Sequence, residues 1–390
     1  MTRKGGSAGE VLLAFLGLGC RSFGGPVAHL GYFQREFVEK RKWVDPQTYA
    51  ELIGIAQSMP GPASSQVGFS LGLLRAGWMG GLAAWVGFTL PSAVLMLAFA
   101  AGHGLLTGKI GLALVHALQL VAVAVVAQAV MAMQKTLAPD VPRLLVAAFA
   151  MAITLLVTPQ FSTVAAIGFG AVVGLVVARR RTQESVGELG QSLPKGAAIL
   201  AGMLFFALQL VRGAGSLGVF AAFYRSGALV FGGGHVMLPM LEATVVTRGW
   251  VSQPVFLAGY GAAQALPGPL FSFAAYLGAS VTPSASPLLY GLVGLVGIFL
   301  PGLLAVAAVL PFWGGLRQNR WIRAGLWGVN ASVVGVLGAA LCRPLWTSSV
   351  HGVVDFLIVA AAFAALVGWK VQPWMVVAGT VGVAMVVRLA

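Results

Sequence analysis

Ala56-Gln57-Ser58-Met59-Pro60-Gly61-Pro62 and Ala263-Gln264-Ala265-Leu266-Pro267-Gly268-Pro269 are one phrase written twice in the same chain. Upstream of each copy stands a second shared landmark, Phe23-Gly24-Gly25-Pro26 in the first half and Phe231-Gly232-Gly233-Gly234 in the second. Downstream stands a third, Gly87-Phe88-Thr89-Leu90-Pro91 against Gly297-Ile298-Phe299-Leu300-Pro301, and Trp43 and Trp250 each fall between the first and second landmarks. Three landmarks in one order at matching spacing mark an internal duplication. The repeats are expected over 1–178 and 197–390. They are joined by a polar, basic linker over 179–196 (RRRTQESVGELGQSLPK over 179–195), the long polar stretch of the chain.

The duplicated unit is a membrane unit. Hydrophobic residues make up 58% of the 390 positions and charged residues 9%, against about 25% charged in an ordinary soluble chain. Apolar runs over 79–101, 111–134 and 288–310 approach or reach the roughly 20 residues that cross a hydrocarbon core. The 53 glycines and 19 prolines do not argue against helices here, because neighbouring helices in a bilayer re-satisfy the freed backbone groups. Arg3 and Lys4 precede the first apolar run with no clean small-residue cleavage site after it, so the first helix is expected to be retained. Cys20 and Cys342 sit in apolar surroundings, offering neither a disulfide framework nor a thiolate metal cluster. The net charge of +14 lies mostly in short loops, where it reads as a topology signal and not as nucleic-acid affinity.

Charge placement orients the halves. Arg35, Lys40, Arg41 and Lys42 precede Trp43, whereas the equivalent loop of the second half holds only Arg248. After the third landmark the bias reverses, with Lys109 nearly alone in the first half and Arg317, Arg320 and Arg323 clustered in the second. Basic loops favour the cytoplasm, so equivalent loops are expected on opposite sides. Counting each interrupted pair as a hairpin, four crossings over 79–178 and one extra crossing near 197–211 bring every strong basic cluster, the linker included, to the cytoplasmic side. The expected fold class is therefore an all-α polytopic membrane protein of two inverted-topology repeats, with helices interrupted at the FGG and PGP elements.

The interruptions leave helical pieces of about a dozen residues, too short to span at 1.5 Å per residue. Irregular backbone at membrane depth persists only where it is buried in protein or lines a cavity. Pro26, Pro62 and Pro269 read as first-turn prolines of half-helices, whose N-termini each offer about half a positive charge and unpaired N–H donors. Paired interruptions in two inverted halves point to an anion site near the midplane. Its candidates are Ser22, Gly24, Gly25, Gln57, Gly61, Ser64, Ser65 and Gln66 in the first half, and Gly232, Gly233, Gly234, His235, Gln264, Gly268 and Ser272 in the second. The bland alternative is that these elements only allow tight helix packing. Arg21 either presents a guanidinium fork to an oxyanion or snorkels to the interface. Glu51 is a candidate coupling group or the structural partner of an arginine, and His29 a candidate proton carrier or a satisfied packing histidine. His103, His116 and His351 show no supporting pattern, and Asn330 reads as helix-to-helix glue.

These residues resemble the chromate ion transporter family. The likeness is carried by 22–41 (SFGGPVAHLGYFQREFVEKR), 56–72 (AQSMPGPASSQVGFSLG), 231–240 (FGGGHVMLPM) and 263–278 (AQALPGPLFSFAAYLG), together with the two Leu-Pro landmarks, and it covers nearly the whole chain. The resemblance implies a carrier of the bacterial inner membrane that exports chromate on the membrane potential or an ion gradient, with isosteric sulfate as competitor. Arg21 stands where the family motif has a small polar residue.

Other classes fit less well. A membrane enzyme acting on lipid phosphates needs a carboxylate-rich or metal-binding cluster, which the sequence does not display, so neither cofactor nor metal is expected. The stretch 102–109 (GHGLLTGK) lacks the spacing of a phosphate loop, which disfavours an ATP-driven pump. A passive anion channel of the same architecture stays open, as does a homodimer; the expected partners are a small oxyanion and the lipid bilayer.

Overall fold

The computed structural model describes residues 5–23, 25–102, 108–177, 194–231, 237–282, 286–316 and 319–389. Every regular element among them is helical. The first half comprises α1 (Ala8–Gly19), α2 (Gly25–Phe33), α3 (Pro46–Ser58), α4 (Ala63–Gly102), α5 (Gly108–Leu137), α6 (Val141–Leu156) and α7 (Pro159–Val177). After α8 (Lys195–Gln209), the second comprises α9 (Gly215–Ala228), α10 (Met237–Val245), α11 (Gln253–Ala263), α12 (Phe273–Ala279), α13 (Pro287–Val309), α14 (Trp313–Leu316), α15 (Arg320–Ala340), α16 (Thr347–Ser349), α17 (Val353–Val367) and α18 (Pro373–Leu389). Most of the linker expected over 179–196 lies outside the described residues.

The interruptions fall where the landmarks stand. α2 opens at Gly25, and α4 opens one residue after Pro62. A single 3₁₀ turn, Leu270–Ser272, follows Pro269 and leads into α12. α4 is two helices joined at a sharp turn, because Ala76 (φ −143°, ψ 26°) and Gly77 (φ 65°, ψ −158°) leave helical space, and Gly72 and Gly80 then meet across the turn. The part after the break, 77–102, is about 39 Å long at 1.5 Å per residue, enough to cross the bilayer, and matches the apolar run. By length and composition four helices can cross a membrane: Ala63–Gly102, Lys109–Leu137, Pro287–Phe312 and Arg320–Ser349. The outer faces agree with a lipid setting. Leu82, Val86, Val94 and Leu95 on α4, Phe149 on α6, Phe206 on α8 and Leu357 on α17 are exposed large apolar side chains, which a water-facing surface would not carry in such number.

Lipid supplies no hydrophobic drive between helices, so close packing has to hold them. In the first half Phe15 on α1 meets Phe33 and Phe37 at ring-centroid distances of 5.4 and 4.6 Å, and Phe37 stacks on Trp43 at 4.5 Å, fixing the half-helix α2 against α1. In the second half Phe273 on α12 takes Phe256 and Tyr260 of α11 at 5.3 and 5.8 Å.

The halves are interleaved. α5 packs on α11, α17 and α18 of the second half, whereas α15 packs on α6 and α7 of the first. Each terminal hairpin thus leans on the long helix of the other repeat. Two backbone hydrogen bonds repeat this exchange at the centre: Gly61 N–H donates to the Val230 carbonyl (2.7 Å), and Gly268 N–H donates to the Ser22 carbonyl (2.9 Å). Gly61 and Gly268 are equivalent glycines of the two PGP elements, and Ser22 and Val230 are the equivalent residues before the two FGG elements. The same contact is thus made twice, with the partners exchanged between the halves.

Candidate functional site

The FGG element of the first half and the PGP element of the second meet at a cavity of about 360 Å³, lined among others by Phe23, Gly25, Tyr32, Gln128, Gln264, Gly268, Lys370 and Gln372. Its walls are α2, α5, the end of α11 and the turn between α17 and α18. The lining has amide, phenol and ammonium donors and no carboxylate among the described residues. Lys370 holds φ at +53°, a left-handed backbone that costs a non-glycine residue of order 1 kcal/mol and is usually retained for a reason. The Ser22 hydroxyl, fully buried, has no hydrogen-bond partner among the described residues. A donor left unmatched inside a protein is costly unless a ligand or water answers it.

A second cavity of about 340 Å³ occupies the place related by exchanging the halves, between α10, α15 and the α6–α7 turn. It is lined by Thr154, Ser162, Thr163, Glu242, Thr247 and Arg343 among others, so its described lining holds one carboxylate and one guanidinium. The two places differ. Gln264 borders the first cavity, whereas its counterpart Gln57 is exposed and borders neither. α11 packs firmly on α5, and α3 has no comparable contact with α15 among the described residues.

The remaining sequence candidates distribute as follows. Gly25, Gln264 and Gly268 line the first cavity, and Ser22 lies beside it through its bond to Gly268. The N–H groups of Gly61 and Gly268, expected to face an anion, are instead spent on the hydrogen bonds between halves, because both turns are wedged against the opposite repeat. A Cβ on Gly61 (φ +119°) would lie 2.6 Å from the Gly302 Cα, and one on Gly268 (φ +93°) would lie 2.9 Å from the Ser92 Oγ. Gln66 donates to the carbonyls of Pro60 (2.8 Å) and Gly302 (2.9 Å), which makes it a bolt between PGP and the facing Leu-Pro landmark. Ser64, Ser65 and Ser272 are buried near the two PGP turns. Gly24, Gly232, Gly233, Gly234 and His235 lie outside the described residues.

His29 has both ring nitrogens engaged, Nε2 3.1 Å from the Ser22 carbonyl and Nδ1 3.3 Å from the Ser64 hydroxyl. A carbonyl only accepts, so this arrangement assigns the proton to Nε2 and makes Nδ1 the acceptor of Ser64 O–H. The packing reading fits this geometry, with the ring tying FGG to PGP within the first half. Arg21 turns away from the cavity: its side chain is 59% exposed and reaches Glu36 at 3.5 Å. Glu36 also takes Arg41 at 2.8 Å and Lys40 at 3.8 Å, and the Arg41 hydrogen bond holds its carboxyl below the usual range. Glu51 is half-buried on α3 and engages neighbouring groups. Lys370, Gln128, Gln372, Glu242 and Arg343 escape sequence reasoning, because none belongs to a landmark; only their polarity beside apolar runs flags them.

The model of the chromate transporter family matches residues 9–175 and 217–386, one match in each half. The chain belongs to the chromate transporter family. A chromate transport protein of Pseudomonas aeruginosa is 30% identical over 379 residues, spanning 93% of this chain and 87% of the relative. A probable chromate transport protein of Synechococcus elongatus is 28% identical over 361 residues, and a chromate transport protein of Cupriavidus metallidurans 26% over 390. No solved structure matches the chain. With its apolar helices, this member of the family is a multi-pass membrane protein.

Proposed function

We propose that this chain is a secondary transporter that exports chromate across the bacterial inner membrane, with sulfate as a competing tetrahedral dianion. The observation that carries the reading is the cavity with no carboxylate among its described lining residues, where Gly25, Gln264, Gly268 and Lys370 converge from both halves. Family membership supports chromate as the ion. Lys370 supplies the charge, while Gln264, Gln128 and Gln372 supply neutral donors; such a set favours a dianion over a cation. The α2 N-terminus at Gly25 adds its partial positive charge.

Two cavities in exchanged positions, differing in their PGP contacts, suit a carrier whose inverted halves take turns in opening. Glu242 and Arg343 in the second cavity are the best-placed coupling pair; Glu51 and His29 rank below them. Arg21, Gln57 and Gln66 act outside the anion contact. The linker 179–196 is cytoplasmic in this reading, and a homodimer is compatible with it.

The test is uptake of labelled chromate into inverted membrane vesicles under an imposed potential, with sulfate as competitor. Saturable, potential-dependent accumulation that falls at least tenfold in Lys370→Gln and partly returns in Lys370→Arg is the expected result. Non-saturating flux indifferent to both substitutions would remove the site and favour a pore. Opposed orientation of the halves is tested by labelling single cysteines placed at Lys42 and Arg248 from the outside: only the Arg248 position should react.

A further inference from the structure

His116, His351 and Asp355 are separated by up to 239 positions in sequence and come together where the α17 N-terminus meets the first third of α5. Their ligand atoms all lie within 4.8 Å of one another. His116 Nε2 is 3.0 Å from Asp355 Oδ1, and His351 Nδ1 is 3.9 Å from Asp355 Oδ2. The two imidazoles face each other at 5.7 Å with an interplanar angle of 29°. The His351 backbone N–H donates to Asp355 Oδ2 at 3.0 Å, holding the carboxylate in place. His116 and Asp355 are buried, at 6% and 8% exposure, while the His351 side chain is 59% exposed. The set is therefore closed on the protein side and open at one ligand.

We propose that these three side chains form a binding site for a divalent first-row transition-metal ion of the zinc–copper type. Ligand atoms bound at 2.0–2.2 Å in a tetrahedral shell sit roughly 3.4 Å apart; here His116 Nε2 stands 3.0 Å from one carboxylate oxygen and His351 Nδ1 3.9 Å from the other, with one ligand atom of each residue within 4.8 Å of the others. Two imidazole nitrogens and one carboxylate oxygen are the donor set of such ions, with one position left for water; calcium and magnesium need more oxygens. A simple hydrogen-bonded clamp would require His116 and Asp355 alone. The second imidazole, directed at the same carboxylate from the solvent side, is what a clamp does not explain. Since α5 and α17 come from different repeats, a bound ion ties the halves together.

The experiment is titration of the full-length, tag-free chain in detergent micelles with ZnCl₂ by calorimetry, on a Cys20→Ser/Cys342→Ser background because both thiols are exposed. One zinc per chain is expected, with affinity reduced in His351→Ala and Asp355→Asn by more than the roughly 10–100-fold that losing an outer-shell partner costs. His351 is exposed, so its removal leaves the fold intact. Electron paramagnetic resonance of the Cu²⁺-loaded protein should show coupling to two imidazole nitrogens, reduced to one in His351→Ala. No zinc binding, or binding unchanged in both variants, would overturn the site and leave a hydrogen-bonded clamp.

Discussion

Gln66 and Glu36 are the two polar residues whose surroundings make the sharpest residue-scale predictions. Gln66 satisfies two carbonyls from opposite halves through one amide nitrogen. Gln66→Ala leaves the Pro60 oxygen without its donor and removes the tie to Gly302, whose carbonyl keeps its own helix bond within α13, at about 1–3 kcal/mol. Thermal unfolding in detergent should show that loss, while Gln57→Ala, at an exposed position, should leave the midpoint unchanged. Glu36 gathers Arg21, Lys40 and Arg41, and its lowered pKa sets the sign of a pH effect. A carboxylate depressed in the folded state stabilises above its unfolded pKa and loses that contribution as pH falls through the folded one. The stability gap between the native chain and Glu36→Gln is therefore expected to be about 1 kcal/mol or less near neutrality, given the exposed partners, and to close on acidification below the usual carboxylate range. Of the sequence candidates, Gly25, Gln264 and Gly268 reach the cavity because they belong to the repeated landmarks. Lys370 is illegible in the sequence, since nothing local distinguishes a lysine in a turn from one that closes a cavity walled by both halves.

At the scale of elements, the interrupted helices were readable because proline and glycine act locally. The apolar run from 79 anticipates the spanning part of α4, and the structure places its beginning at the break over Ala76 and Gly77. Gly77 combines φ 65° with ψ −158°, a region essentially reserved for glycine, yet a Cβ there would meet nothing within 4 Å. Gly77→Ala is thus expected to cost about 1–3 kcal/mol through backbone strain alone, and a chain as stable as the native one in thermal denaturation would refute that account. What the PGP turns do was less readable. Proline at a first helical turn suggests a free N-terminus, but whether the adjoining N–H meets a ligand or another turn depends on what packs opposite, and here Val230 and Ser22 do.

For the whole molecule, the exchanged hairpins make each half incomplete alone. α15 rests on α6 and α7, and α5 on α17 and α18, so neither repeat buries its long helix without the other. Fragments 1–178 and 197–390 expressed together should copurify from detergent and restore the native unfolding midpoint within a few degrees, whereas either alone should be degraded. Separate, stable fragments that fail to associate would contradict the interleaved arrangement.

Membrane residence, the all-helical class, the duplication and the positions of the interruptions follow from composition and spacing, because the bilayer demands long apolar runs and glycine and proline act on their own backbone. The cavity, the spent N–H groups of Gly61 and Gly268, the outward turn of Arg21 and the meeting of His116 with Asp355 are decided only in three dimensions. Each depends on pairs of residues about 170 to nearly 250 positions apart, or on a side chain choosing one neighbour among several, and such choices are made by packing in three dimensions.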